Sequence, residues 1–423
     1  MRTINFLDLF AGAGGLSEGF LRAGFEPVAH IELDANACKT LKTRSIYHYL
    51  KKNDMLDLYR TYQKTYNKSE DVKDKAIEKL LSYIPKDQLE PVMNIEISEK
   101  TLPYIFQEID CRLKHMEHEG IDLIIGGPPC QAYSLVGRAR DENNMEDDPR
   151  NYLYKLYIRF LNKYKPKAFI FENVPGILTA FKGNLFRNLQ AYMRRVGYNI
   201  QARKMDAKDF GVLQSRKRVI IIGWRKDLEF DYPIFESDDK EFTVNNLLED
   251  LPKINSGEIY DKFRYRKKIN KYLQNTQLRV EDDIITHHIA RPNNERDLEI
   301  YRIAVETWNR ERARIKYTDL PERLMTHNNL TSFLDRFKVV AGDEKYSHTV
   351  VAHISKDGHH YIHPDIEQNR SITVREAARI QSFPDDYYFE GPRTSNFVQI
   401  GNAVPPLMAE KLAYWFKEKF EII

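Results

Sequence analysis

A cysteine that follows two prolines is the residue of this chain best suited to chemistry. Cys130 comes after Pro128 and Pro129, whose rings fix the backbone φ at about −65° and leave no N–H to donate. The apolar stretch 121–125 before them predicts a buried strand, and the two intervening glycines allow a tight turn off its end. The pattern predicts a thiol on a stiff, exposed loop, where it can act as a nucleophile. From this stretch alone, an inert cysteine in a strand-to-loop turn remains the alternative.

A carboxylate and two arginines adjoin two further apolar stretches. Glu172 follows residues 168–171 and can serve as an acid or hydrogen-bond partner beside a nucleophile. Arg216 and Arg218 alternate at the start of a predicted strand, so their side chains are expected on one face. Paired guanidinium groups suit a phosphate or a carbonyl oxygen, whereas a solvated basic strand edge is the alternative.

A glycine-rich turn, Gly12-Ala13-Gly14-Gly15, follows the first apolar stretch. Glycines let the backbone approach a cofactor closely, and the helix N-terminus behind them favours an anion. The turn lacks the Gly-Lys-Ser/Thr ending of a triphosphate loop and is not a full GxGxxG fingerprint. Glu32 ends the second apolar stretch, where doubly wound folds place an acid for ribose hydroxyls. The combination favours an adenosine-containing cofactor, with a surface acid capping the next helix as the alternative for Glu32.

Alternating strands and helices must position these residues. The apolar stretches predict strands at 4–10, 25–32, 122–125, 168–171 and 218–224, with helices between them, and this alternation indicates an α/β fold with a parallel, Rossmann-like sheet. Residues 50–100 are predicted to be a mostly helical insertion. Regular alternation stops after residue 224, which predicts a smaller, mostly irregular second domain before helices at 374–382 and 406–420.

Composition sets the broad class. The 423 residues are 42% hydrophobic and 30% charged, as in a soluble globular protein, and no apolar run reaches the roughly 20 residues that span a bilayer. We therefore expect a cytoplasmic protein without a membrane partner. The three cysteines are widely spaced and never form CxxC, so neither a disulfide framework nor a zinc site is indicated. The net charge of +3 does not by itself predict a nucleic-acid partner.

Six motifs, in order, resemble the DNA (cytosine-5) methyltransferase family of bacterial restriction-modification systems. They are Asp8-Leu9-Phe10-Ala11-Gly12-Ala13-Gly14-Gly15, Gly127-Pro128-Pro129-Cys130-Gln131, Glu172-Asn173-Val174, Gln214-Ser215-Arg216-Lys217-Arg218, Arg375-Glu376-Ala377-Ala378-Arg379-Ile380-Gln381-Ser382-Phe383-Pro384 and Gln399-Ile400-Gly401-Asn402-Ala403-Val404-Pro405-Pro406. The resemblance covers the catalytic region and both ends of the chain. It implies a catalytic domain over residues 1–224, completed by 396–423, and a target-recognition domain with a return segment over 225–395.

The resemblance implies S-adenosylmethionine as the methyl donor. The residues expected to contact it by this resemblance are Phe10, Ala11, Gly12, Gly14, Gly15, Leu16, Glu32, Pro128, Asn402 and Ala403. The family usually carries an Asp-Ile pair at the third strand, and Asn94-Ile95 is the counterpart expected here, displaced by the insertion. We therefore add Asn94 to the predicted cofactor contacts.

The resemblance also implies the chemistry. Cys130 would add to C6 of cytosine, Glu172 would protonate the N3 edge, and Arg218 with Arg216 would contact the base carbonyl or a phosphate. The target nucleotide would be flipped out of double-stranded DNA, with Gln131 and Ser134 supporting the target strand. Val136 stands where some members carry a small serine, so the residue that fills the space left by the base is not predicted.

The variable region offers several candidate DNA contacts. Arg264, Lys267 and Arg310 are predicted to bind DNA, more as phosphate contacts or solvated charges than as readers of bases. His359, His360 and His363 superficially resemble a metal cluster, but without acidic or cysteine partners at a ligand spacing we predict a solvated turn and no metal.

Three other functions are weighed against DNA cytosine-5 methylation. A tRNA cytosine-5 methyltransferase would use the same catalytic motifs, although the large variable region favours duplex DNA. A catalytically inactive DNA-binding relative is disfavoured by the retained Cys130, Glu172 and arginines. An aminomethyltransferase needs an aromatic residue where Cys130 stands. A separately encoded restriction endonuclease as partner and a monomeric state on DNA complete the expectations.

Overall fold

A seven-stranded sheet forms the centre of the catalytic region. The computed structural model describes residues 3–129, 153–235 and 241–422, with the side chains of 331 and 332 excepted. The strands lie in the order β3-β2-β1-β4-β5-β7-β6. Their bounds are β1 (Asn5–Leu9), β2 (Glu26–Glu32), β3 (Val92–Asn94), β4 (Leu123–Gly126), β5 (Ala168–Asn173), β6 (Tyr198–Asp206) and β7 (Lys217–Arg225).

Helices connect the strands and cover both faces of the sheet. Those of the catalytic region are α1 (Gly15–Arg22), α2 (Ala35–Lys52), α3 (Leu56–Gln63), α4 (Glu70–Leu81), α5 (Leu102–His115), α6 (Leu153–Tyr164) and α7 (Asn184–Arg195). Those that follow β7 are α8 (Asn245–Leu248), α9 (Lys271–Asn275), α10 (Glu295–Glu311), α11 (Leu330–Phe333), α12 (Val374–Ile380), α13 (Arg393–Asn402) and α14 (Pro406–Ile422).

Two apolar cores sandwich the sheet. On one face, Ile105 of α5, Tyr157 of α6 and Leu189 of α7 pack against the strands. On the other face, α1 and α14 share a core that contains Phe20 and Phe416. These two helices are in backbone contact, because a Cβ built on Gly19 would lie 2.3 Å from the backbone nitrogen of Glu410. Helix α14 therefore packs directly against the first helix of the described chain.

The predicted parallel sheet is wrong for its last two strands. Strands β1 to β5 pair in parallel, whereas β7 runs antiparallel to both β5 and β6. The edge strand β6 was not predicted. Its sequence places Asn199, Gln201, Arg203 and Lys204 at positions that are exposed or half-buried, so it lacks the continuous apolar run that marks a strand buried on both faces.

The segment between β2 and β3 forms three helical pieces, as expected from its weak periodicity. The end of α2, α3 and α4 share an apolar core rich in tyrosine. Two of its hydroxyls reach the stretch between α12 and α13, far along the chain. Tyr59 donates to the carbonyl of Asp386 at 2.9 Å, and Tyr62 donates to Oε1 of Glu390 at 2.7 Å. The insertion thus braces the part of the chain that precedes α13.

The region after β7 is largely irregular in its described residues. Helix α10 is the longest element between β7 and α12 in the described residues. Its residues Ile300, Ala304 and Trp308 form part of a separate apolar core. Strand pairing in this part of the structure is limited to isolated bridges such as Ile259 with Ile289 and Val339 with Ile362. The division at residue 224 remains a prediction. No described helix has the length and hydropathy of a membrane span.

Candidate active site

The predicted site residues gather at one edge of the sheet. In the parallel strands, Leu9 of β1 lies opposite both Ile31 of β2 and Gly126 of β4, and Glu32 lies opposite Asn94 of β3. The loops that leave these strands therefore emerge side by side. Ligands of open α/β sheets bind at this carboxyl edge.

The glycine-rich turn after β1 adopts a conformation that ordinary residues rarely tolerate. The backbone φ is +55° at Gly12 and +79° at Gly14, and Phe10 before them also has a positive φ of 58°. The N–H of Gly14 donates to the carbonyl of Ala11 at 3.0 Å, which closes the turn. A Cβ on Gly12 would meet no described protein atom within 4 Å, so this face of the turn is open to a ligand.

Glu32 fastens the open turn to the second strand. Its Oε2 accepts the N–H of Gly12 at 2.8 Å, and its Oε1 accepts the N–H groups of Leu33 and Asp34 at 2.8 Å each. Burial raises the pKa of this carboxyl, although the three N–H donors favour its charged form. Each carboxylate oxygen has more than one acceptor position, so Glu32 can also accept a ligand hydroxyl.

The other side of the turn packs against the end of the chain. A Cβ on Gly15 would lie 2.3 Å from the carbonyl oxygen of Val404 and 2.9 Å from Cβ of Ala403. Asn402 at the end of α13 is exposed beside these residues, whereas Leu16 is buried in the core that α1 shares with α14. The predicted contacts Gly15, Asn402 and Ala403 are thus brought together from opposite ends of the sequence.

The arrangement fits an adenosine-containing cofactor. An open glycine face at Gly12 lies beside the carboxylate of Glu32, which suits a ribose hydroxyl. Asn94 is exposed at the next strand end, where its Nδ2 donates to the carbonyls of Glu32 at 3.2 Å and Leu33 at 2.8 Å. By strand register, Asn94 lies at the same edge of the sheet as the ends of β1 and β2. Phe10 and Ala11 lie half-buried at the start of the turn.

Glu172 and Arg218 form an ion pair at the same edge of the sheet as the glycine-rich turn. Because β7 is antiparallel to β5, its first residues lie at the edge where β5 ends, and Arg218 Nε comes within 2.8 Å of Glu172 Oε1. Burial raises the pKa of Glu172, and the charges of Arg218 and then Arg216 oppose that rise. A carboxyl whose pKa is raised by burial, against the opposing effect of nearby cations, can exchange a proton with a bound base.

The loop that leaves β4 is fixed directly against this pair. A Cβ on Gly127 would lie 2.1 Å from the carbonyl oxygen of Glu172 and 3.0 Å from its Oε2, so only glycine fits. The buried Asn173 donates from Nδ2 to the carbonyl of Pro128 at 3.1 Å, while its Oδ1 accepts the N–H of Val174 at 2.9 Å. The backbone that leads to Cys130 is thereby anchored at residue 128.

Some predicted site residues fall outside the described residues. Cys130, Gln131 and Ser134 all lie between residues 129 and 153, so their roles rest on the sequence. Pro128 is described, and it is the last predicted cofactor contact before that gap.

The sequence predicted Arg216 and Arg218 on one face of a strand, but the two side chains have different partners. Its fully buried guanidinium donates to the carbonyls of Val350 at 2.6 Å and Gly401 at 2.8 Å. Arg216 precedes β7, so the strand alternation that would put the two arginines on one face does not apply. The structure thus shows Arg216 joining the segments around residues 350 and 401, while Arg218 pairs with Glu172.

The predicted DNA contacts lie on the surface of the variable region. Arg264 is exposed, Lys267 pairs with Glu249 at 2.9 Å, and Arg310 pairs with the adjacent Glu311 at 2.6 Å. Their DNA-binding role stays a prediction.

The predicted solvated histidine turn is wrong at His363. This side chain is buried, its Nε2 lies 3.5 Å from Oε1 of Glu376, and burial lowers its pKa to about 3. His359 meets the hydroxyl of Tyr301 at 2.9 Å. His359 and His363 therefore have protein partners and do not form a solvated turn. No group of three or more metal-ligating side chains is found in the described part of the chain.

Sequence reasoning missed two residues of the site, Asn173 and Tyr387. Asn173 stood inside a quoted motif without a role, yet a polar residue directly after Glu172 must face the other way in a strand and needs its own partner. Tyr387 donates to the carbonyl of Ala13. Sequence separation hides that contact, and no local pattern signals it.

The sheet order, the open glycine turn and the carboxylate at the end of β2 define a Rossmann-like fold of the S-adenosylmethionine-dependent methyltransferase type. Solved structures share this fold: a candidate DNA modification methyltransferase encoded within a prophage (E. coli) has a TM-score of 0.62 at 23% identity, covering 99% of this chain and 100% of the other. Entamoeba histolytica methyltransferase EhMeth has a TM-score of 0.56 at 14% identity, covering 99% of each chain.

The sequence comparisons identify the family. The profile of the C-5 cytosine-specific DNA methylases matches residues 4–75 and 97–418. Type II methyltransferase M.Bpa9945I of Bacillus paralicheniformis is 44% identical over 97% of this chain and 98% of its own length. Type II methyltransferase M.DdeI of Desulfomicrobium norvegicum is 30% identical over 99% and 91%. The chain belongs to the C-5 cytosine-specific DNA methylase family, and it is a DNA cytosine-5 methyltransferase.

Proposed function

We propose that the protein methylates C5 of one cytosine within a specific duplex DNA sequence, using S-adenosylmethionine and a covalent adduct between Cys130 and C6 of the base. The observation that carries this proposal is the ion pair of Glu172 with Arg218, 2.8 Å apart. The pair adjoins the loop that leads to Cys130, since a Cβ on Gly127 would lie 3.0 Å from Glu172 Oε2, and it lies at the same edge of the sheet as the glycine turn. An acid, a cation and a nucleophile-bearing loop at one cofactor edge suit chemistry on a heterocyclic base.

The reaction needs activation of C5, which is a poor nucleophile in the aromatic ring. The Cys130 thiolate forms a bond to C6, and the C5–C6 π electrons move into the ring toward N3, where Glu172 delivers a proton. Arg218 holds the Glu172 carboxyl in place through their ion pair, and we propose that it also contacts the base carbonyl. When bound, S-adenosylmethionine supplies the electrophilic methyl group. C5 would form its new bond to this methyl group as the donor sulfur keeps the electron pair of the broken S–CH3 bond, and N3 returns its proton to Glu172. Loss of the C5 proton to a base then expels the Cys130 thiolate and restores the C5–C6 double bond.

The proposed cofactor contacts come from the glycine turn, from two strand ends and from residues around them. The turn residues Gly12, Gly14 and Gly15 offer backbone groups, Glu32 accepts ribose hydroxyls, and Asn94 lies at the neighbouring strand end. Phe10, Ala11, Leu16, Pro128, Asn402 and Ala403 complete the proposed set. The open face at Gly12 supports this assignment.

The target base must leave the duplex before Cys130 can reach C6. We propose Gln131 and Ser134 as contacts to the target strand, and Arg264, Lys267 and Arg310 as phosphate contacts of the variable region. Base reading by that region would set the DNA sequence.

We further propose that methylation protects host DNA from a separately encoded restriction endonuclease and that the enzyme acts as a monomer. The support is that the relatives named above are type II methyltransferases. A cytoplasmic location remains a prediction.

Covalent trapping tests the mechanism. Mixed-sequence duplex DNA containing 5-fluorocytosine is incubated with enzyme and S-adenosylmethionine, because fluorine at C5 cannot leave as a proton and the adduct persists. The wild-type protein should form a complex stable on a denaturing gel and should transfer labelled methyl groups to ordinary DNA. Cys130→Ala should form no adduct and should lose methyl transfer by more than about a thousandfold.

Cys111→Ala is the matched control, because Cys111 is an exposed free cysteine on α5. It should keep both the adduct and the activity. Full methyl transfer by Cys130→Ala would refute the covalent mechanism, and a wild-type protein that methylates tRNA but not duplex DNA would refute the proposed substrate. Bisulfite sequencing of the product DNA would identify the methylated cytosine.

A further inference from the structure

Tyr387, which lies between α12 and α13, contacts the glycine turn through a hydrogen bond to Ala13. Tyr387 is 1% exposed, and its hydroxyl donates to the carbonyl of Ala13 at 2.5 Å. These residues are 374 positions apart. Ala13 lies between Gly12 and Gly14, both in the left-handed region.

The contact matters because it fixes the carbonyl of Ala13, the peptide group at the centre of the glycine turn. A residue flanked by glycines can rotate its peptide planes at little steric cost. The N–H of Gly12 is fixed by Glu32 and the N–H of Gly14 by Ala11, while Tyr387 fixes the carbonyl of Ala13. A Cβ on Gly14 would also lie 3.0 Å from the Tyr387 hydroxyl, so the tyrosine packs directly under the turn.

Tyr387 is itself held rigidly. The guanidinium of Arg44 lies over its ring at 4.7 Å from the centroid, and the ring of Phe383 contacts it with centroids 4.7 Å apart. Arg44 is fixed by Glu18 of α1 through a 2.8 Å hydrogen bond and by Asp386 through a 2.7 Å one. The hydroxyl is therefore presented to the turn by a preformed support.

The same support continues into the variable region. Asp385, two residues before Tyr387, accepts from Arg379 at 2.8 Å and from the hydroxyl of Tyr265 at 2.7 Å. Tyr265 belongs to the stretch between α8 and α9. Arg375 links Asp385 to Tyr387, because its guanidinium lies 3.7 Å from the Asp385 carboxylate and donates to the Tyr387 carbonyl at 2.9 Å. Polar contacts thus join the part of the chain that would read DNA to the turn that would bind the cofactor.

We propose that Tyr387 is a positioning residue for the cofactor: its hydroxyl holds the Ala13 peptide in the orientation that binds S-adenosylmethionine. This inference rests on the proposed function, since it assumes that the glycine turn binds that cofactor. Tyr387 acts through the turn and takes no part in the chemical step. Its loss should weaken cofactor binding and leave the rate at saturation unchanged.

Tyr387→Phe tests the proposal, because it removes the hydroxyl and keeps the ring packed against Arg44 and Phe383. The KM for S-adenosylmethionine should rise about tenfold, as expected when a buried carbonyl loses its donor. The kcat and the KM for DNA should stay near the wild-type values. The dissociation constant of S-adenosylhomocysteine, measured by calorimetry without DNA, should rise by the same factor.

Tyr59→Phe is the matched control. Tyr59 is also 1% exposed, and its hydroxyl donates to the carbonyl of Asp386 at 2.9 Å without a hydrogen bond to the turn. It should lower the melting temperature comparably and leave cofactor affinity unchanged. Wild-type affinity in Tyr387→Phe, or an equal loss in both variants, would overturn the inference. A wild-type protein that binds no S-adenosylhomocysteine would instead overturn the proposed function on which the inference depends.

Discussion

At the scale of single residues, Glu172 experiences two opposing influences. Burial raises the pKa of its carboxyl, and the guanidinium of Arg218 at 2.8 Å, with Arg216 behind it, counteracts the rise. A free carboxyl would be fully ionised at neutral pH and a poor proton donor. Burial moves the pKa of Glu172 above its ordinary value. This is the direction that a proton donor at neutral pH requires.

Replacement of Arg218 should disturb this balance in a defined direction. Arg218→Met removes the cation that favours the carboxylate, so the pKa of Glu172 should rise further above its ordinary value. The midpoint can be followed by carbon NMR of labelled glutamate carboxyls, with the Glu172→Gln spectrum providing the assignment.

Lys217→Met is the control for Arg218→Met, because Lys217 is an exposed cation next in sequence. It should leave the midpoint of Glu172 in place. An unmoved or lowered midpoint in Arg218→Met would show that the ion pair does not govern this carboxyl.

At the scale of elements, the end of β4 shows how closely two strands must approach to form the site. The Cα of Gly127 faces the backbone of Glu172 on β5, and Asn173 next to it holds Pro128. Residues 127 and 128, which lead to the proposed nucleophile Cys130, are thereby fixed against the backbone around Glu172.

Gly127→Ala should separate them. The added Cβ would lie 2.1 Å from the Glu172 carbonyl oxygen, so strands β4 and β5 must shift, and a displacement of about 1 Å at a reacting group can cost about a hundredfold in rate. The single-turnover rate of methyl transfer should fall by about that factor.

Gly120→Ala serves as the comparison, since a Cβ there meets no described atom within 4 Å. It should retain the wild-type rate. A Gly127→Ala enzyme with unimpaired turnover would contradict the close fit between β4 and β5.

The elements also show what a sequence can and cannot predict. Strands β1, β2, β4, β5 and β7 were predictable, because long apolar runs mark strands buried on both faces, and so were Glu32, Glu172 and Arg218 at their ends. Strand β6 was missed because one of its faces is polar. The role of Arg216 and the contact of Tyr387 depend on partners more than 100 residues away, which only the tertiary fold brings close.

At the scale of the whole molecule, buried histidines make stability depend on pH. Burial lowers the pKa of His288 to about 4, although Glu376 opposes the change, and its ring bonds the carbonyl of Pro252 at 2.9 Å and the hydroxyl of Thr373 at 3.2 Å. The unfolded chain takes up a proton near pH 6.5 that the folded chain takes up only near pH 4. Stability from this group is thus complete above pH 6.5 and is lost as pH falls toward 4, by about 3 kcal/mol in all.

His288→Asn should flatten the acid side of the stability profile. An asparagine amide does not titrate, so the slope of unfolding free energy against pH between 6.5 and 4 should decrease by up to about 1.4 kcal/mol per pH unit. Urea unfolding at several pH values measures it.

His115→Asn, at an exposed position at the end of α5, should leave that slope unchanged. An unaltered slope in His288→Asn would assign the acid sensitivity to other groups.

The backbone contact between α1 and α14 has a consequence for biosynthesis. About 380 residues separate the two helices, and at about 5–20 residues per second the ribosome takes about 20–80 s to reach α14 after finishing α1. During that interval, the apolar side of α1 that α14 will cover has no permanent neighbour there and is a candidate for chaperone binding. The core that α1 and α14 share therefore cannot form before α14 has been translated, however early the first strands pair.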